Sequence, residues 1–162
     1  MSEVRVAVSL DAEALLSGFG AYVGLPDLTF GERGFVGLLF DDHALNIFYD
    51  GARDAFMLYG PVGQVPPSVD DGFFRRLAVS AHSSAFGGEG ALTFDEVHGQ
   101  VIWSDRVPLS GLTQERFQEA LKAAVDRIEW LKRSPFDVLL RGEGTSGSPV
   151  SDFSKSEGAM RI

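Results

Sequence analysis

Cysteine is absent from the 162-residue chain, which excludes a disulfide framework and thiolate chemistry. Basic residues are few, since 14 Lys and Arg stand against 23 Asp and Glu, for a net charge of −9. Nucleic-acid phosphates are bound by clustered Lys and Arg, and an acidic surface repels membranes, so neither partner is expected. No apolar run approaches the length of a membrane span, and the N-terminus lacks the pattern of a signal peptide. These absences predict a cytoplasmic protein.

Motifs for catalysis and for cofactors are also missing. The nearest approach to a dinucleotide fingerprint is Gly18-Phe-Gly20, but Gly24 is one position too far for G-x-G-x-x-G. The three histidines do not have metal-ligand spacing. Ser146 lies in "GEGTSGSP", which misses the G-x-S-x-G pattern of a nucleophile elbow. We therefore expect no catalytic residue, no cofactor and no metal site.

The hydrophobic fraction of 44% is sufficient for the core of one ordinary domain. Periodic apolar residues and turn residues predict three helices and five strands. The first helix is predicted at 12–23 with Asp11 as N-cap, the second begins with Asp70 or Asp71 as cap and ends near "FGGEG" (86–90), and the third runs from Thr113 to Arg133. The strands are predicted at 35–40, 44–49 and 55–60, and in a hairpin over 91–109. Short connections require antiparallel neighbours, so the order α-β-β-β-α-β-β-α predicts an α+β sandwich with an antiparallel sheet.

The sequence also predicts where the domain ends. Residues 1–133 are expected to form a single domain, in which 1–10 are an N-terminal extension whose alternating valines permit a short strand. Residues 134–162 are rich in Gly and Ser and are predicted to be a flexible tail. Prolines at 61, 66 and 67 predict that 60–71 contains neither strand nor helix interior.

Four stretches of the sequence follow one another in a characteristic order. They are "LLSGFGAYVGLPDLTF", "GFVGLLFDDHALNIFYDGARDAFMLYGPVGQVP", "GALTFDEVHGQVIWSDRVPLSGLTQERFQEAL" and "AAVDRIEWLK". In that order they resemble the first helix with its linker, the three-strand meander, the hairpin and the closing helix of the class I type III secretion chaperones, the Tir chaperone (CesT) family. Together these stretches span about residues 12–132, nearly the whole predicted domain.

The resemblance implies a cytoplasmic bacterial homodimer. Such a chaperone binds the N-terminal chaperone-binding segment of one or more secreted effectors and keeps it extended and competent for secretion. It also implies that a separate secretion ATPase receives the complex, and that the chaperone itself hydrolyses no nucleotide.

Apolar residues around the first helix, the linker and the meander are candidates for the effector groove, since extended apolar surface on a soluble protein marks partner sites. They are Leu16, Phe19, Leu25, Leu28, Phe30, Phe35, Leu38, Leu45 and Ile47. The second helix and the hairpin are candidates for the dimer interface through Phe73, Phe74, Leu77 and Trp103. The alternative for each of these residues is that it completes the core or a single wide buried face.

Two other functions remain open from the sequence. One is a small-ligand-binding or hydrolytic α+β domain that uses the turn residues Asp41, Asp42 and His43. The other is a structural adaptor that dimerises but does not bind unfolded segments.

Overall fold

The computed structural model describes residues 7–133 and 135–141. The elements in chain order are α1 (Leu10–Tyr22), β1 (Phe35–Phe40), β2 (His43–Asp50), β3 (Ala55–Gln64), α2 (Phe73–Phe86), β4 (Ala91–Asp95), β5 (Gln100–Pro108), α3 (Gln114–Arg133) and α4 (Pro135–Arg141). The five strands form one antiparallel sheet in the order β1-β2-β3-β5-β4. The predicted α+β class and the predicted order of the first eight elements are confirmed.

All four helices lie against one face of the sheet. Phe117 of α3 packs on Phe19 of α1 and on Phe56 of β3, with ring centroids 6.3 Å and 4.8 Å away. At the other end of the sheet, Phe73 of α2 contacts Phe94 of β4. The core lies between this helical layer and the inward residues of the strands. The described part of the chain thus has two layers, and none of its helices covers the outer face of the sheet.

Local capping sets the helix starts. Ser9 is the N-cap of α1, because its Oγ accepts a hydrogen bond from the Ala12 N–H at 3.2 Å. The prediction of Asp11 as this cap is therefore wrong, and Asp11 lies in the first turn, where its charge favours the helix dipole. Thr113 is confirmed as the cap of α3, since its Oγ1 accepts from the Arg116 N–H at 3.3 Å.

The prediction that 60–71 contains no strand is wrong for its first residues, because β3 continues to Gln64. The register with β5 shifts between Pro61 and Gly63, which is a β-bulge or irregularity. A bulge is one of the few places in a sheet where the missing N–H of a proline is tolerated. The strand therefore passes Pro61 and ends before Pro66.

The ordered chain continues past residue 133, where the tail was predicted to begin. Pro135 starts α4, a position where the missing N–H costs nothing, and Phe136 and Leu139 are buried one turn apart. The Phe136 ring occupies the space beside Gly63 that any Cβ there would need. Residues 142–162 of the predicted tail lie outside the described residues, as do Val4 and Val6 of the N-terminal extension.

Candidate partner-binding surfaces

The predicted groove residues do not form one surface. Leu16, Phe19, Leu45 and Ile47 are buried in the single chain. Leu28, Phe30 and Leu38 are partly buried and pack against the core, whereas Leu25 and Phe35 are exposed.

Strand register explains this division in the meander. Leu38 pairs with Leu45 and Val36 with Ile47, so these side chains point together into the helical layer. Phe35 pairs with Phe48 and points to the outer face. The predicted groove floor thus combines residues from opposite faces of the sheet.

The apolar linker after α1 folds back on that helix. The Leu25 N–H donates to the Gly20 carbonyl at 2.7 Å, and Gly24 turns the chain with a φ of 81°. A Cβ on Gly20 would overlap the Leu25 carbonyl oxygen and would lie 2.7 Å from the Leu28 Cβ. Further along, Phe30 stacks on Phe56 with centroids 5.9 Å apart. Much of the linker therefore belongs to the core, and Leu25 remains at the surface.

The outer sheet face carries a second apolar surface, which we call the outer-face patch: Phe35, Leu39, Phe48, Met57 and Tyr59. Leu39 is the most exposed of these, at 73%. Phe35 and Tyr59 are ring neighbours at 6.4 Å, and burial among these side chains raises the pKa of Tyr59 above its usual value. Of the predicted residues only Phe35 belongs to the patch. Apolar residues on both faces of β1 and β2 were the sequence signal for it.

On the helical side, a cleft of about 400 Å³ opens between α1, α3 and the end of β1. This α1–α3 groove has an apolar floor formed by Phe19, Tyr22, Val23, Phe40, Leu121 and Val125. Tyr22 is 72% exposed. The rim carries Glu115, Glu119 and Asp126, and its single cation, Lys122, is paired with Asp126 at 2.5 Å. Phe19 is the one predicted groove residue that lines it.

β1 lies at one edge of the sheet, between the outer-face patch and the α1–α3 groove. It pairs with β2 on one side, and among the described residues no strand pairs with its other side. At the start of this edge the Phe35 carbonyl accepts from the Gly31 N–H at 2.9 Å. The outward backbone N–H and C=O groups further along β1 are available to another extended chain. Leu39 lies on the outer side of this strand and Phe40 on the groove side.

Three of the four predicted dimer residues are buried within the chain. Phe73 and Leu77 face the core, and the Trp103 indole donates to the Glu89 carbonyl at 2.8 Å. Phe74 is 52% exposed and packs edge-on against Phe94 of the edge strand β4, at 5.2 Å. Of the four, Phe74 offers the most surface to a partner.

The turn residues considered for a ligand or hydrolytic site have structural contacts. His43 Nδ1 lies 3.4 Å from the Lys132 ammonium, and Asp41 occupies a left-handed turn position with a φ of 51°. In the β4–β5 turn, the His98 ring and backbone hydrogen bonds to the Asp95 carboxylate lower its pKa below the usual value. No group of three or more His, Asp or Glu in the described part of the chain could hold a metal ion. Within the same residues, no helix is long and apolar enough to cross a membrane.

Comparison with known proteins identifies relatives in sequence. The model of the Tir chaperone protein (CesT) family matches residues 14–132. The transcriptional anti-antiactivator ExsC of Pseudomonas aeruginosa is 30% identical over 126 residues, which cover 76% of this chain and 85% of ExsC.

Solved structures show the same fold. The structure of the ExsC–ExsE complex matches with a TM-score of 0.69 at 26% identity, over 80% of this chain and 96% of the matched chain. The HopA1–SchA chaperone–effector complex matches with a TM-score of 0.65 at 18% identity, over 78% and 98% of the two chains. The chain therefore belongs to the Tir chaperone protein (CesT) family and is a class I type III secretion chaperone rather than an enzyme.

Proposed function

We propose that this chaperone is a cytoplasmic homodimer that binds the N-terminal segment of one or more effectors and keeps it extended for secretion. The observation that carries the proposal is the position of β1, an edge strand with exposed apolar side chains on its outer side and the partly buried Phe40 on its groove side. The similar structures include a chaperone–effector complex, which supports an effector as the partner. Delivery to a secretion ATPase is the further step that the family implies.

An effector segment in extended form can add a strand to β1. The backbone hydrogen bonds of such a strand require no particular sequence, which suits a chaperone for unfolded segments. Alternate side chains of the added strand point to opposite faces. One set would reach Leu39 and the outer-face patch, and the other would reach Phe40 and the α1–α3 groove.

Charge at the α1–α3 groove favours one class of segment. Glu115 and Glu119 remain on the rim after Lys122 and Asp126 have paired with each other. An apolar anchor flanked by Lys or Arg gains attraction there, whereas an acidic segment is repelled. This preference is expected to weaken as salt is added, because the rim is solvent-exposed.

The proposed homodimer uses the opposite edge of the sheet. Phe74 presents its ring beside Phe94 and the β4 edge, and large aromatic residues are frequent anchors of interfaces. A dimer through β4 leaves both β1 edges accessible to effectors.

The effector proposal is tested by capture from a secretion-competent lysate, followed by binding measurements with the N-terminal fragment of each protein retained. Leu39→Asp places a charge on the outer-face patch beside the β1 edge and should weaken binding of the fragment tenfold or more. Val97→Asp is the matched control, since Val97 is an exposed valine in the β4–β5 turn. Equal affinity of both variants for the fragment would contradict the proposal.

A second candidate function follows from one relative. ExsC is named a transcriptional anti-antiactivator, and its identity to this chain is 30%. This chain would then also bind an antiactivator protein and so control transcription. Deletion of its gene separates the two: loss of secretion of a particular effector at unchanged transcript levels favours the cargo role, and a fall in transcripts favours the regulatory one.

A further inference from the structure

A second apolar groove lies between α2 and α4, away from the surfaces considered so far. This α2–α4 groove encloses about 700 Å³ and is lined by Val79, Pro135, Val138 and Leu139, with Arg75 and Ser83 on the α2 side. Val79 is 62% exposed, and Val138 is exposed beside it. Within the described part of the chain, Arg75 makes no ion pair, so the groove combines exposed valines with a free cation.

Arg76 fixes the walls of this groove. Its guanidinium donates to the Leu139 and Leu140 carbonyls of α4 at 2.8 Å and 3.2 Å. The same group forms a two-pronged ion pair with Asp70 at 2.9 Å and 2.6 Å. α4 is therefore held at a defined distance from α2, and the groove is a preformed feature of the fold.

The groove is separate from the proposed dimer surface. Phe74 and Val79 are five positions apart on α2, which places them about 140° apart around the helix axis. Phe74 faces β4, whereas Val79 faces α4. One wall of the groove, α4, lies beyond the residues 14–132 that match the family, whereas the α2 wall lies within them.

We propose that residues 149–153 of the same chain, Pro-Val-Ser-Asp-Phe, cover the α2–α4 groove. α4 delivers the chain to this place, since Arg76 holds the carbonyls of its last turn beside the groove. The connecting residues 142–148 can span up to about 25 Å. The groove runs along α4, which has seven residues and is about 10 Å long. Residues 142–148 are therefore long enough to bring residues 149–153 back over the groove.

The chemistry of this segment matches the groove. Val150 and Phe153 supply apolar side chains for the exposed valines, and Asp152 between them supplies a carboxylate for Arg75. Attachment to α4 also gives the segment an effective concentration in the millimolar range, which an unlinked competitor must exceed. Covering the groove leaves the β1 edge accessible, so the inference is independent of the proposed effector site.

Disulfide trapping tests the contact directly, because the full chain contains no cysteine of its own. Ser83→Cys on the groove wall is combined with Ser154→Cys, which leaves Val150 and Phe153 in place. The matched control combines Ser154→Cys with Ser17→Cys, an exposed serine on α1. Under mild oxidation we expect an intramolecular disulfide to form at least about tenfold faster in the test pair than in the control, given the millimolar effective concentration. Adding Phe153→Ser or Arg75→Glu to the test pair should lower its rate of disulfide formation toward that of the control pair.

Two outcomes of the disulfide experiment overturn the proposal. A disulfide mainly between two chains would mean that a second copy covers the groove, and equal rates for test and control pairs would mean that the segment does not dock. A second measurement needs no cysteine and is used if a cysteine variant folds poorly. Hydrogen exchange in α2 and α4 should be faster in the full chain with Phe153→Ser than in the unsubstituted full chain. Equal exchange there also contradicts the proposal.

Discussion

Both faces of β1 and β2 carry large apolar side chains, but only those of the inner face are covered by the helices. On the helical face, Leu38, Leu45 and Ile47 pack under α1 and α3. On the outer face, Phe35 and Leu39 remain exposed, and nothing in the described chain covers them. An antiparallel sheet with one solvated face normally has polar residues on that face. The inner face therefore provides the stability of the fold, and the exposed apolar outer face is consistent with the proposed binding of another chain.

The largest effect is expected from truncating the inner face. Ile47 is completely buried, so Ile47→Ala leaves a cavity and should lower the free energy of unfolding by about 2–4 kcal/mol. Leu39→Ala removes a largely exposed side chain of similar size and should change it by less than about 0.5 kcal/mol. Urea unfolding at one fixed protein concentration measures both values. Similar losses from the two variants would mean that the faces do not differ in this way.

Two adjacent aromatic residues of α2 differ in the same way, since Phe73 is buried and Phe74 is exposed. Phe74→Ser should weaken the proposed homodimer by about 2 kcal/mol, which is roughly a thirtyfold rise in the dissociation constant. Light scattering over a concentration series measures this change, with exposed Val79→Ser on the α4 side of the helix as the control. If the unsubstituted chain is monomeric at micromolar concentration, the proposed homodimer is contradicted.

A pair of glycines in α1 tests whether the linker is fixed to the helical layer. The Cβ of Gly20→Ala would overlap the Leu25 carbonyl, a backbone group that cannot rotate away, so a loss of about 1–2 kcal/mol is expected. The Cβ of Gly18→Ala meets only the side chain of Gln114, which can move. There the gain in helix propensity, up to about 1 kcal/mol, should offset the lost hydrogen bond from Gln114 to the Leu15 carbonyl. Thermal unfolding of both variants gives the difference, and equal midpoints would show that the linker is not held at Gly20.

Elements with strong local signals could be predicted from the sequence. α3 has its cap at Thr113 and buries Phe117, Leu121 and Ile128 at helical spacing, as predicted. The faces of β1 could not be assigned, because the side on which Phe35 lies depends on its pairing with Phe48, and both alternating sets are apolar.

Other features of the structure could not be predicted from the sequence because they are fixed by distant contacts. The burial of Leu16 depends on how α1 packs against α3 and the sheet, and periodicity alone does not separate a core stripe from a groove. α4 is short, and its position depends on Phe136 meeting Gly63 and on Arg76 reaching the Leu139 carbonyl. No window of the sequence around residue 135 contains those partners.

The smallest effect on stability is expected from lowering the pH, and it should be confined to the helical layer. The Arg76 guanidinium holds the pKa of the Asp70 carboxyl below its usual value, with help from the Gly72 N–H. A carboxyl whose pKa is lowered by folding stabilises the fold above its unfolded value of about 3.9, and this contribution is lost as the pH falls through the lowered value. Asp70→Asn should therefore reduce stability slightly at neutral pH, while the difference from the unsubstituted chain should shrink below about pH 4.

Chemical unfolding between pH 7 and pH 3 measures this difference, and Asp71→Asn is the neighbouring control because Asp71 makes no ion pair within the described residues. The Asn side chain can still accept from the Gly72 N–H, so the variant removes the charge and little else. Arg76 also holds the α4 carbonyls. Hydrogen exchange in α4 should therefore be faster in Asp70→Asn than in the unsubstituted chain at neutral pH, and this difference should shrink below about pH 4 as well. Exchange at the β1 edge should be the same in both chains. An equal response at β1 would mean that the two faces of the sheet are coupled and that the outer one is not an independent surface for a partner.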